Sequence, residues 1–120
     1  MAGKALINLA TGMEDGERVL VAFLVATAAQ QQGKEVVVWA TKEAVRLGLP
    51  GAMQGEVCDG CPPLERLWQQ FDEAGGKLWL CPICVNSRGL QDEARVDGVE
   101  IAGATPVWEW AGDDTTVFSY

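Results

Sequence analysis

The chain has 120 residues, enough for one domain with a real core that needs no staples. Seventeen acidic residues against nine basic ones give a formal net charge of −8, and no basic run occurs, which excludes a phosphate-backbone (nucleic-acid) binder. This chain has no histidine, so a Cys–His nucleophile pair, a His-ligated zinc and a histidine general base are excluded, and any chemistry must use thiols, carboxylates, backbone amides or a cofactor.

Lys4 to Leu9 is a short apolar run that reads as a buried strand. Thr11-Gly12-Met13 is a turn, and Glu14 and Asp15 suit the first turn of a helix, where acids oppose the positive dipole end. That helix is expected to run to about Gln32, with Gly33 as its stop. Its middle is apolar on nearly every face, so burial on more than one side is expected. The most apolar stretch, Val19 to Ala29, is too short to span a bilayer. It also follows Glu14-Asp15-Gly16-Glu17, where a signal peptide would carry positive charge, so the expected location is the cytoplasm, away from membranes.

Glu35 to Ala40 is a second continuous apolar strand, and Thr41 can cap a short helix from Lys42 to Leu47. Gly48 to Gly60, with four glycines and one proline, reads as an irregular loop. Pro62 and Pro63 fit the start of a third helix, where a missing N–H costs nothing, and Leu64, Leu67, Trp68 and Phe71 give it one apolar stripe. Gly75-Gly76 ends it. Lys77 to Leu80 is a third strand running straight into Cys81, followed by a short helix from Val85 to about Asp92. Val99 to Ala104 is a fourth strand, Thr105-Pro106 opens a short helix holding Trp108 and Trp110, and Thr115 to Tyr120 is a β-prone end.

Strands alternating with helices, with apolar runs in the strands, indicate an α/β protein: a three-layer α/β/α sandwich on a mainly parallel five-stranded sheet, flavodoxin-like or Rossmann-like. No internal repeat or linker divides the chain, which reads as one domain over residues 1–120. The pattern does not encode the strand order.

Four cysteines form two Cys-x-x-Cys pairs, Cys58/Cys61 and Cys81/Cys84. In a cytosolic protein such pairs read as metal ligands or redox and catalytic thiols before structural disulfides. Ligands of parallel sheets bind beyond the carboxyl ends of the strands, which is where Cys81 falls. Cys81 also precedes a helix, a setting that favours a thiolate nucleophile, and Arg88 adds a positive neighbour. The third helix must finish near the start of the third strand, so it begins at the opposite edge, and Cys61 directly precedes that beginning. Both pairs are therefore expected at one end of the sheet.

Three readings of the cysteines stand side by side. The spacing Cys58-x2-Cys61-x19-Cys81-x2-Cys84 matches a four-thiolate zinc site, although zinc ribbons place their pairs on β-turn knuckles and here one pair ends an apolar strand. The pairs also suit a thiol–disulfide redox protein. In a third reading Cys81 is a reactive thiol with Cys84 as its resolving partner, and Cys58/Cys61 is a local disulfide or a regulatory thiol pair. Burial as four small hydrophobes is the bland alternative.

The strand-turn Lys-Ala-Leu-Ile-Asn-Leu-Ala-Thr-Gly, the apolar first helix and the run Cys81-Pro82-Ile83-Cys84-Val85-Asn86-Ser87-Arg88-Gly89-Leu90 resemble the DsrE/DsrF-like sulfur-relay family, over nearly the whole chain. The resemblance implies a small cytosolic DsrE-like α/β domain that assembles as a homo-oligomer, a trimer or hexamer. It implies a persulfide carrier, sulfurtransferase-like if an enzyme, exchanging sulfur with donor and acceptor proteins or small thiols. By position Cys81 matches the family's sulfur-carrying cysteine and Arg88-Gly89 its Arg-Gly pair, while Cys84 matches a second cysteine of some members. Cys58/Cys61 departs from the single-cysteine carriers. Asn86 and Ser87 are expected to cap a helix and to support the sulfur, and the chemistry requires no cofactor, with zinc kept for the metal reading.

The remaining features have simpler readings. Thr11-Gly12 could line the same site but is ordinary turn chemistry, and no GxGxxG run calls for a dinucleotide. Asp113 and Asp114 read as solvated loop acids, and Trp39 and Trp79 as core. Trp108 and Trp110, two apart on one helix, face different sides, so one of them is a candidate for an oligomer contact.

Overall fold

The computed structural model describes residues 3–120. Five strands form one parallel sheet in the order β4-β3-β2-β1-β5, with β1 Lys4–Leu9, β2 Glu35–Ala40, β3 Lys77–Leu80, β4 Glu100–Ile101 and β5 Thr115–Ser119. The helices are α1 Gly16–Gln31, α2 Leu64–Glu73, α3 Pro82–Ser87 and α4 Ala104–Ala111, and 3-10 segments cover Met13–Asp15 and Lys42–Gly48. The α/β class and the parallel sheet are as the sequence pattern implies.

Alternation along the strands divides the core. Ala5, Ile7 and Leu9 stand level with Val36, Val38 and Ala40, and these with Leu78 and Leu80, on the face covered by α1 and α2. Phe23 of α1 meets Phe71 and Trp68 of α2 edge-on, with ring centroids 5.4 and 6.1 Å apart. Each fully buried aromatic or Leu contributes about 1.5–3 kcal/mol of burial, so this face carries most of the stability. On the other face Leu6, Val37, Trp39 and Trp79 pack against Val107 and Trp110 of α4. Trp110 donates its indole N–H to Glu35 and Trp39 donates to Ala102 O, so both rings are fixed.

Several boundaries differ from expectation for local reasons. α1 begins at Gly16 because Asp15 is its N-cap, accepting Arg18 N at 3.2 Å. Its burial is confined to the sides facing the sheet and α2, and Val21 and Leu24 remain exposed. The helix expected over Val85–Asp92 occupies Pro82–Ser87. Pro82 tolerates the first helical turn, Val85 N closes that turn on Cys81 O, and the chain leaves the helix at Gly89. The fourth strand shrinks to Glu100–Ile101, which pair with Trp79 and Leu80 at the end of β3. Gly103, rather than Thr105, is then the N-cap of α4.

Candidate functional site

The backbone ladder continues one residue past the strands at the carboxyl edge of the sheet. Thr41 N donates to Leu9 O, Cys81 N to Ala40 O and Ala102 N to Leu80 O, all within 3.0 Å. Cys81 is thus sheet-like at its amide and is the N-cap residue of α3. Cys84 lies in that helix, with Val85 beside it buried in the core. Both thiols are free and partly exposed. Ile83, between them, is 77% exposed and forms an apolar lip.

α3 packs against the 3-10 segment that follows β2. Arg88 Nε donates to Glu43 Oε2 at 2.5 Å, and Arg46 Nε donates to Glu43 Oε1 at 2.9 Å. Arg88 Nη1 also donates to Cys84 O at 3.3 Å and to Ser87 Oγ at 3.2 Å. The Arg88 guanidinium beside Glu43, and then that of Arg46, hold the Glu43 carboxyl below its ordinary value. Arg88 is therefore engaged by a counter-charge, rather than standing as a lone cation beside Cys81. Asn86 and Ser87 lie in the last turn of α3 rather than capping a helix start, and Ser87 Oγ donates to Cys84 O at 3.2 Å.

Glu43 is the residue that sequence reasoning missed. Its signal was available: an acid three residues before Arg46, just past a strand end, at the edge where Arg88 needs a partner. The Thr11-Gly12 turn reaches the same place. A Cβ on Gly12 would come within 2.7 Å of Glu43 O, so only glycine lets the turn after β1 lie against this segment.

Cys58 and Cys61 are joined in a disulfide, with Cα atoms 5.3 Å apart and Cys61 N donating to Cys58 O. Their loop belongs to the same edge. Val57 fills the space beside Gly16 at the start of α1, and Gly55 is tied to the start of α2 through Leu64 N and the Glu65 carboxylate. The two pairs share an edge as the chain geometry requires, but they are in different states. Sulfurs joined in a disulfide do not serve as thiolate ligands. Among the described residues no group of three or more Cys, Asp or Glu stands where it could hold a metal ion, so the four-thiolate arrangement does not fit this conformation. Asp113 and Asp114 are exposed and lie near Gly3, at the opposite edge of the sheet.

A parallel five-stranded α/β sheet with paired thiols at its carboxyl edge defines the class. The chain belongs to the DsrE/DsrF-like family, whose profile matches residues 4–120. It is 30% identical over 104 residues to the uncharacterized protein MK0008 of Methanopyrus kandleri, covering 87% of this chain and 83% of that one. Among solved structures it is similar to the ychN protein of E. coli, with a TM-score of 0.77 at 22% identity, covering 97% of this chain and 99% of that one. It is also similar to MTH1491 of Methanobacterium thermoautotrophicum, a protein of unknown function, with a TM-score of 0.71 at 12% identity and the same coverages. At these identities the two structures establish the fold.

Proposed function

We propose that this protein is a sulfur-relay protein that accepts sulfur as a persulfide on Cys81, with Cys84 as the resolving thiol. The observation that carries the reading is a free, partly exposed thiol directly after β3, with a second free thiol one helical turn on, in a chain of this family. The Cys81 thiolate attacks the outer sulfur of a donor persulfide. A bond forms between the two sulfurs, the donor's S–S bond breaks, and the donor thiolate leaves with the electron pair. An acceptor thiolate then removes the outer sulfur in the same way and regenerates Cys81. If Cys84 attacks first, the products are a Cys81–Cys84 disulfide and hydrosulfide. No step needs a general base, which suits a chain without histidine.

The partners in this reading are sulfur donor and acceptor proteins or small thiols, met in the cytoplasm. Among the described residues no helix is long and apolar enough to cross a membrane. Self-association belongs to the same reading and is supported by Trp108, 76% exposed, a large apolar side chain that a lone copy leaves in water. The test is mass spectrometry of the Cys84→Ser protein after incubation with a low-molecular-weight persulfide. One added sulfur on Cys81 is expected, and equal uptake by a variant that carries both Cys81→Ser and Cys84→Ser sinks the reading.

A further inference from the structure

Three loops meet at one acidic residue on the carboxyl edge. The turn after β1 rests Gly12 on the Glu43 carbonyl, the segment after β2 carries Glu43 itself, and the helix after β3 reaches its carboxylate through Arg88. Both carboxylate oxygens are occupied, one by Arg88 and one by Arg46. The carbonyl of Cys84 accepts from Arg88 Nη1 and from Ser87 Oγ, and Ser87 Oγ is itself in reach of Arg88 Nη1. An ion pair this open to solvent adds little to global stability. Its effect lies in where it holds α3.

We propose that Glu43 is a positioning residue for the thiol pair: by fixing Arg88 it holds the turn of α3 that carries Cys84 in the place from which the Cys84 sulfur attacks Cys81. The inference rests on the sulfur-relay reading where the leaving group is hydrosulfide, and it extends to any closure of this pair. In the closing step the Cys84 thiolate attacks the Cys81 sulfur, a Cys81–Cys84 bond forms, the bond to the outer sulfur breaks, and hydrosulfide leaves with the electron pair. Attack must lie in line with the breaking bond, and a misplacement of about 1 Å costs on the order of a hundredfold in such steps. Loading of Cys81 from a donor does not use Cys84. Glu43 therefore governs closure and leaves loading alone.

The experiment separates the two steps in Glu43→Gln, which keeps the side-chain size and removes the charge. Loading by glutathione persulfide, followed by mass spectrometry in a Cys84→Ser background, is expected to stay within about twofold of the unsubstituted rate, while closure with Cys84 present slows about tenfold or more. Arg88→Gln is expected to slow closure likewise. A second probe, glutathione disulfide, reads closure without any persulfide. Cys81 displaces one glutathione to form a mixed disulfide, and Cys84 displaces the other. If Cys81 takes up no sulfur but closure with glutathione disulfide still slows in Glu43→Gln, the relay reading has failed and the positioning role stands. Closure as fast as wild type, or loading and closure falling in the same proportion, overturns the positioning role.

Discussion

Arg88 Nε lies 2.5 Å from Glu43 Oε2, joining residues 45 positions apart across the carboxyl edge of the sheet. The contact changes what Arg88 offers to the neighbouring thiols. Paired to this carboxylate, the guanidinium acts as a strut that ties the end of α3 to the segment after β2. The same contact gives the edge a dependence on pH.

Glu43 titrates below its ordinary value of 4.5, chiefly through the hydrogen bond from Arg88. A carboxyl depressed in the folded state contributes stability that is fully present above its unfolded value and is lost as the pH falls through the folded one. Wild type is therefore expected to exceed Glu43→Gln slightly in urea midpoint at neutral pH, and the gap should close as the pH falls below the ordinary carboxylate range. A gap that is unchanged at the acidic end contradicts the assignment.

Cys81→Ser is expected to lose sulfur uptake. Cys84→Ser should load normally, keep its persulfide longer and release no hydrosulfide in the absence of an added thiol. Mass spectrometry and hydrosulfide measurement in one time course distinguish these behaviours. Rapid hydrosulfide release from Cys84→Ser would remove Cys84 from the resolving role.

Gly12→Ala places a Cβ within 2.7 Å of the Glu43 carbonyl, a backbone atom that cannot swing aside. A destabilisation of about 1–3 kcal/mol is expected from overpacking of this kind. Urea denaturation measures it. Alkylation of Cys84 in the native protein should also quicken, because the segment that supports α3 is displaced. An alanine variant as stable as wild type would mean that the edge is looser than described.

Two of the four cysteines should react with an alkylating agent in the unreduced native protein, and all four after reduction and unfolding. The Cys58–Cys61 bridge closes a very short loop, so Cys58→Ser with Cys61→Ser is expected to cost no more than about 2 kcal/mol. Elemental analysis of the same sample completes the test. Near-stoichiometric zinc with four blocked thiols would replace the disulfide state by the four-thiolate reading.

Trp108→Glu puts a charge where the reading of self-association needs apolar contact. Light scattering is expected to show a smaller assembly than wild type at equal concentration. An unchanged assembly would move the contact away from α4.

The first three strands were legible to the residue because each is a short apolar run entered from a glycine one or two positions before it, as in Lys77–Leu80 after Gly76. α3 was displaced along the chain because Pro82 marks a helix start as readily as it breaks one, and only Cys81 in extended conformation resolves which. The place of β5 beside β1 depends on how the whole sheet assembles, and no local pattern in Thr115–Ser119 carries it. The shared edge of the two cysteine pairs followed from chain geometry alone. Their different states did not, since the same Cys-x-x-Cys spacing suits a disulfide, a metal and a free pair. The spacing of Glu43 to Arg46 was visible in the sequence, but the partner that gives Glu43 its place in the site, Arg88, lies 45 residues away, beyond the three or four positions that local spacing reports.

The hydrogen bonds at Cys81 have one more consequence. Its amide is bonded to Ala40 O and its carbonyl accepts from Val85 N, so the backbone that carries the thiol is fastened on both sides. In the proposed relay the sulfur does not travel on a swinging arm. The carrier behaves as a stationary post, its reach limited to one cysteine side chain, and each partner must bring its own thiol to the edge and seat it there. Traffic through such a post is governed by which surfaces can dock beside Ile83 and for how long, so fidelity in sulfur delivery becomes a property of the encounter rather than of the thiol.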